Sequence, residues 1–161
     1  MSSDRSRVTS DHFRRAAGRF ATGITIATVV DPQGCPHGLT VNSFTSVSLE
    51  PPLVLVCIAH AAVTVESFRT AKYFGINILA SDQRDLSDHF ARKGHDRFAT
   101  IEWTPGETGV PLLSGVLAAL ECEVHSTVRA GDHDIFLGEV VCIDVYEKRP
   151  LLYWSSAYHA L

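Results

Sequence analysis

The chain has 161 residues, 45% hydrophobic and 20% charged, which suits one globular domain with a real core and leaves little room for two. A formal charge of −4 speaks against a general nucleic-acid binder, which would carry a basic excess. No apolar run is long enough to span a bilayer, and Met1–Arg7 lacks the apolar stretch of a secretion signal, so a cytoplasmic protein with no membrane contact is expected.

Residues 1–9 read as a flexible lead to a domain spanning 10–161. Phe13, Ala16, Ala17 and Phe20 fall at helical spacing, predicting a helix from Ser10 that Gly23 closes. Ile24–Val30 reads as a strand, and Asp31–Gly34 as the turn of a hairpin. The next segment, Gly38 to Pro52, is the most unusual in the chain: Thr40, Asn42, Ser43, Thr45, Ser46 and Ser48 crowd one extended stretch ending in a double proline. On a continuous strand, Leu39, Val41, Ser43, Thr45, Val47 and Leu49 would share one face, with Thr40, Asn42, Phe44, Ser46 and Ser48 on the other. Such a surface can hydrogen-bond ring heteroatoms and phosphate without adding charge, although Ser/Thr-rich strands are also common as plain solvated faces.

Leu53–Ile58 is an unbroken apolar run, expected to be a central strand buried on both sides. Residues 62–71 suit a helix, Phe74–Leu79 a strand, and Ser81–Arg92 a second helix with Ser81 as N-cap. Gly94 to Gly115 reads as one long irregular loop, and such loops are often functional. Leu120, Cys122, Val124 and Val128 then alternate with Glu121, Glu123, His125 and Arg129. Ile135, Leu137, Val141, Ile143 and Val145 return across Gly131–Asp134, and Pro150–Leu161 adds a last strand with Tyr153, Trp154 and Tyr158. Hairpin-linked strands with few helices predict a mainly β protein: a small antiparallel β-barrel with flanking helices.

The chemistry-bearing motifs are sparse. There is no Gly-x-Ser-x-Gly elbow, His-Glu-x-x-His, Walker loop or Gly-x-Gly-x-x-Gly fingerprint. Cys35, Cys57, Cys122 and Cys142 form no Cys-x-x-Cys pair or zinc spacing, and no metal site is expected. His133 stands out in a turn between Asp132 and Asp134, where it is either solvent-facing or a loop-tip imidazole that meets a ligand. Phe90-Ala-Arg-Lys-Gly-His95-Asp-Arg-Phe98 joins cations to aromatics near a helix end, as a solvated terminus or a phosphate clamp.

In this order the segments resemble the flavin reductase-like family, the short NAD(P)H:flavin oxidoreductase components of two-component monooxygenases. Phe20-Ala-Thr-Gly-Ile-Thr25 is similar to the family's Phe-Pro-Thr-Gly-Val-Thr opening, and Gly38–Ser48 with Pro51-Pro52 to its flavin-contacting strand. Phe74–Leu79, Gln83, Leu86, Phe90 and Asp96–Phe98 follow its middle section. Gly131-Asp-His133, Ile135 and Gly138–Val140 match its nicotinamide-binding loop and strand. Two departures are visible: Ala21 replaces the usual proline, and Val41-Asn42 stands where two small residues are common.

The resemblance implies an FMN-binding type of antiparallel split barrel, a homodimer, and a hydride passed from NADH or NADPH to FMN or FAD. It implies release of reduced flavin to a partner monooxygenase, no nucleic-acid or membrane partner, and chemistry carried by the cofactors. By the same resemblance, Thr40, Val41, Asn42, Ser43, Ser46, Val47 and Ser48 line the flavin ring and ribityl chain. Cys57, Ile58, Ala59 and Thr64 extend that wall toward the phosphate. Phe90, Arg92 and Lys93 approach the phosphate or ring edge, with Phe98 beside it and Tyr158 also at the cofactor. Thr22, Gly23, Asp132 and His133 hold the nicotinamide, His133 positioning the ring rather than acting as acid or base. Two rivals use the same scaffold: tightly held flavin reducing a corrinoid, ferric chelate or quinone, and a non-catalytic flavin-binding module.

Overall fold

In the computed structural model, which describes residues 8–94 and 96–161, the chain opens with helix α1 (Ser10–Ala17). Most of the expected flexible lead therefore lies outside the described residues, as does His95. Thr9 caps α1 by accepting from the His12 N–H at 3.2 Å. The helix ends at Gly18, whose N–H returns to the Arg14 carbonyl at 2.8 Å, and not at Gly23. Thr22–Gly23 is already a short strand, β1, and Phe20 lies past the helix, exposed.

The remaining elements are β2 (Thr25–Val30), β3 (Pro36–Val41), β4 (Thr45–Leu49), β5 (Pro52–Ala59), α2 (Val65–Thr70), β6 (Tyr73–Ile78) and α3 (Arg84–Ala91). They continue as β7 (Trp103–Pro105), β8 (Pro111–Leu113), β9 (Ala118–Ala130), β10 (His133–Val145), β11 (Leu151–Trp154) and β12 (Ala157–Ala160). Seven strands form one antiparallel sheet in the order β3-β2-β6-β9-β10-β5-β4, β1-β11-β12 form a second, and β7-β8 a third. No described helix is long and apolar enough to cross a membrane.

The hydroxyl-rich segment is two strands rather than one. β3 and β4 are neighbours in sequence but sit at opposite edges of the main sheet, joined by Asn42–Phe44. The Ser43 hydroxyl accepts from the Cys57 N–H at 3.0 Å and donates to the Cys57 carbonyl at 2.9 Å, which carries the β4–β5 register past Thr45 opposite Leu55, while β3 pairs with β2 at the other edge. The fold is of the antiparallel split-barrel type. A bulge between Ser46 and Ser48 further breaks the expected alternation along β4.

β5 is buried on one face, not two: Val54, Val56 and Ile58 point into the core while Leu53, Leu55 and Cys57 are half-buried. On β10, Phe136 faces inward, and Ile135 and Leu137 face outward with Cys57 and Leu55. Glu121, expected on a polar face, is buried; its carboxylate accepts from the backbone N–H groups of Glu107 and Thr108 at 3.0 and 2.7 Å. That bond anchors the hairpin β7-β8, which replaces much of the expected irregular loop. Gln83 rather than Ser81 precedes α3, and the Ser81 N–H donates to the Arg149 carbonyl at 2.8 Å. The last segment is a hairpin of two strands, not one strand and a tail.

Two apolar clusters result. The barrel interior holds Val56, Ile58, Phe68, Phe74, Ile76 and Phe136. A second cluster, with Ile26, Leu79, Phe90 and Phe98, lies between the barrel, α3 and the C-terminal hairpin.

Candidate active site

The outward face of β10 and β5 begins at the turn Gly131-Asp132. This two-residue connection puts Gly131 at φ 62°, a conformation that costs other residues more. Its pairing sets His133 opposite Ala59, Ile135 opposite Cys57 and Leu137 opposite Leu55, on one half-buried, largely apolar surface. Asp132 holds the His133 ring through Nδ1 at 2.7 Å, and this bond keeps the Asp132 carboxyl below the usual range. Burial pushes the Cys57 thiol up, so it stays protonated and acts as wall rather than nucleophile.

A few residues beyond Ala59, Val63 and Thr64 line a cleft of about 730 Å³. Its walls are the start of β3 (Cys35 to Gly38), Val63 and Thr64, the segment around Gly94 to Ala99, and Trp103. Arg97 staples one wall to another: its Nη1 donates to the Gly38 carbonyl at 2.7 Å, and Nε and Nη2 to the Arg92 carbonyl at 3.0 and 2.8 Å. His37 is oriented by Asp31, with Nε2 to Oδ2 at 2.8 Å, while the other Asp31 oxygen accepts from the Gln33 and Cys35 N–H groups. Phe98 and Trp103 meet edge-on with ring centres 6.0 Å apart. Apolar rings beside a few fixed polar groups suit a planar ligand bearing a polar or anionic end.

Among the described residues, two buried side-chain hydroxyls have no hydrogen-bond partner, Thr22 and Thr64. Each such group costs about 1–3 kcal/mol unless something completes it. Both residues are on the roster of expected cofactor contacts, and an acceptor such as a phosphate or amide oxygen would satisfy either. By this measure the residues present fit a flavin and a nicotinamide.

Of the other expected contacts, Ala59, Cys57 and His133 share the outer face, Thr64 and Phe98 the cleft, and Arg92 and Lys93 are exposed beside Gly94 at its rim. Asn42, Ser46 and Val47 are exposed, and Val41 and Ser48 half-buried, along the β3–β4 segment; Gly23 is exposed on β1 and Asp132 at the turn. Five expected hydroxyl or side-chain contacts are corrected. Ile58 and Phe90 have no exposed surface and pack in the two cores, so their side chains cannot touch a ligand. The Thr40 hydroxyl donates to the Ser87 carbonyl at 2.6 Å, and the Tyr158 hydroxyl pairs with Ser87 and Asp88, both at 2.9 Å. The Ser43 hydroxyl is likewise spent on Cys57. His37, His60 and Arg69 were not anticipated, whereas Arg97 belongs to the cation–aromatic cluster of residues 90–98.

Three carboxyls in this region, Asp31, Asp132 and Asp134, are held below the ordinary range, each first by a hydrogen bond to a histidine: His37, His133 and His60. Each is more acidic folded than unfolded, so its stabilisation is complete above the unfolded value of about 4 and is lost as pH falls through the folded value. Urea midpoints are therefore expected to drop steeply below about pH 4. Asp31→Asn should flatten part of that fall, and an unchanged profile would contradict the assignment.

The family model for the flavin reductase like domain matches residues 17–161. The chain is 43% identical over 147 residues to the stachydrine N-demethylase reductase subunit Stc3 of Rhizobium meliloti, covering 91% of this chain and 64% of that protein. It is 43% identical over 145 residues to the reductase component of the flavin-dependent trigonelline monooxygenase of Acinetobacter baylyi, covering 90% of this chain and 47% of that one. The chain thus spans about half to two thirds of the length of these curated relatives. The NADH:FAD oxidoreductase SgcE6 of Streptomyces globisporus, solved in complex with NAD and FAD fragments, superposes with a TM-score of 0.88 at 39% identity, covering 92% of this chain and 90% of that one.

Proposed function

The chain belongs to the flavin reductase like domain family, and we propose that it is an NAD(P)H:flavin oxidoreductase that moves a hydride from reduced nicotinamide to FMN or FAD. The observation that carries this reading is the meeting of three features around residues 59–65: the His133 turn, the apolar wall of Cys57 and Ala59, and the unpaired Thr64 hydroxyl. A bound flavin supplies the hydride-accepting ring, so the protein needs no acid, base or nucleophile of its own. Its residues bind, orient and exclude water. Cys57, Ala59 and Ile135 offer an apolar floor, Thr64 and the cations Arg92 and Lys93 suit the phosphate end, and Asn42 with nearby backbone N–H groups favours charge growing on the ring.

His133 holds the nicotinamide. With Nδ1 committed to Asp132, Nε2 is the ring nitrogen left to meet a carboxamide. His133→Ala is expected to raise KM for NADH about tenfold, equivalent to about 1.4 kcal/mol, with flavin affinity unchanged. An unchanged KM and kcat would remove His133 from the nicotinamide site.

NADH is the favoured donor, given the NAD complex of the Streptomyces globisporus relative, and a partner monooxygenase is the favoured recipient of reduced flavin, given the trigonelline relative. We also infer a cytoplasmic homodimer. Past the bulge between Val140 and Cys142, Ile143 and Val145 lie opposite Leu120 and Ala118 of the core face, yet are 59% and 73% exposed because β5 has ended. An apolar face that outruns its own cover suits a second copy. The primary test is NADH oxidation with and without added FMN or FAD. Rates that rise and saturate with free flavin support a reductase that releases flavin. Binding without turnover would replace this reading with a flavin-binding module.

A further inference from the structure

Asp134 is an unusual residue for its position. Alternation along β10 turns it to the inward side with Phe136, and only 5% of its side chain is exposed. Both oxygens are engaged. Oδ1 lies 2.9 Å from Nε2 of His60, while Oδ2 accepts from Nε of Arg69 at 2.7 Å and lies 2.7 Å from its Nη2. His60 comes from the connection after β5, and its backbone N–H donates to the Asp132 carbonyl at 2.8 Å. Arg69 comes from the last turn of α2 and also pairs with Glu66. One carboxylate therefore gathers a strand, a loop and a helix.

A buried ion pair is weak evidence for stability, since apolar residues of similar size often serve packing as well or better. What the arrangement fixes is geometry. A chain of contacts runs from Asp134 to the His60 ring, from the His60 N–H to the Asp132 carbonyl, and from the Asp132 carboxylate to the His133 ring. Beyond the strand pairing of His133 with Ala130 and Ala59, the turn is open: Gly131 and Asp132 are exposed, and 43% of the His133 side chain is open. Thr64 differs, because the next turn of chain is held in the core by Val65 and Phe68, 4% and 1% exposed.

We propose that Asp134 is a positioning residue for the nicotinamide, acting through His60 to hold the His133 turn and leaving the flavin wall to its own anchors. This rests on the reading of His133 given above. The residues that set donor affinity then extend to a buried carboxylate and an arginine that touch neither ligand.

The test compares Asp134→Asn, His60→Ala and His133→Ala, measuring KM and kcat for NADH, flavin affinity by fluorescence quenching, and Tm. Asp134→Asn keeps the shape but cannot accept from both Arg69 and His60 as the carboxylate does. It is expected to raise KM for NADH about fivefold, with kcat and flavin affinity within about twofold of the parent. His60→Ala cuts the same chain while leaving the Asp134–Arg69 pair in place, and should give the same shift even if Asp134→Asn folds poorly. The double variant should show no further rise, as members of one chain do. An unchanged KM in both single variants, with His133→Ala raising it, overturns the proposal and leaves the His133 reading standing. Parallel losses of NADH and flavin affinity with a lowered Tm would make Asp134 merely structural and also overturn it. An unchanged KM in His133→Ala overturns the nicotinamide reading itself.

Discussion

Gly138→Ala is expected to cost about 3 kcal/mol of folding stability and to lower Tm by roughly 6–12 °C. Gly138 lies on the inward side of β10, paired with Val124 on one side and Val54 on the other. A Cβ there would sit 2.4 Å from Cζ and 2.6 Å from Cε1 of Phe74, and 2.7 Å from Cβ of Cys122. Neither neighbour can retreat. Phe74 and Cys122 have no exposed surface, and the Phe74 ring is held against Phe68, centres 6.3 Å apart, which in turn packs on Phe136 at 5.6 Å. Interiors this dense transmit an added methyl as strain instead of absorbing it. Thermal unfolding measures the loss, and Phe74→Leu in the same chain should recover more than half of it. A Tm within about 2 °C of the parent would show that the strands part more easily than this packing allows.

Gly138 illustrates which parts of the molecule can be read from sequence. The β9-β10 hairpin is local, its turn is marked by Gly131-Asp132, and its alternation sets the pairing. Which face turns inward is another matter. Ile135 and Leu137 are as apolar as a core pair, yet Phe136, Gly138 and Asp134 face inward, because the outer face of β5 and β10 is itself an apolar surface. The break at Asn42–Phe44 is equally silent, since alternation runs on through it and only the closing of the barrel separates β3 from β4.

The candidate site divides along the same line. His133 and Thr64 were reachable through family motifs. His60 and Arg69 stand 74 and 65 residues from the carboxylate that gathers them, and nothing near either one announces a partner. A local signal did exist: Asp134 occupies the same parity as Phe136, and a carboxylate on a core-facing parity implies cations brought from elsewhere. Phe90 shows the opposite error. Its place in a family motif suggested a ligand contact, whereas its ring packs edge-on against Phe98, centres 5.2 Å apart, and supports the cleft from behind.

Asn77→Ala is the change expected to carry a packing loss into function. Asn77 is fully buried in β6, and its amide is the junction of three elements. Nδ2 donates to the Ile26 carbonyl at 3.2 Å, and lies 3.3 Å from the Thr28 hydroxyl and 3.4 Å from the Pro111 carbonyl. Oδ1 accepts from the Leu113 N–H at 2.8 Å. Alanine would strand that N–H away from water and leave a void where the amide stood. Together these effects should cost about 3 kcal/mol, close to the Gly138→Ala loss. The consequence differs, because Leu113 is paired with Trp103 across the β7-β8 hairpin, and Trp103 is a wall of the cleft. Loosening β8 frees that wall. Asn77→Ala should therefore weaken flavin binding severalfold at temperatures where the variant is still folded, while Gly138→Ala should not. Fluorescence titration of both variants well below their Tm values separates the two. Equal flavin affinity in the Asn77 variant and the parent would mean that Trp103 is held by its own packing against Phe98, without help from the buried amide.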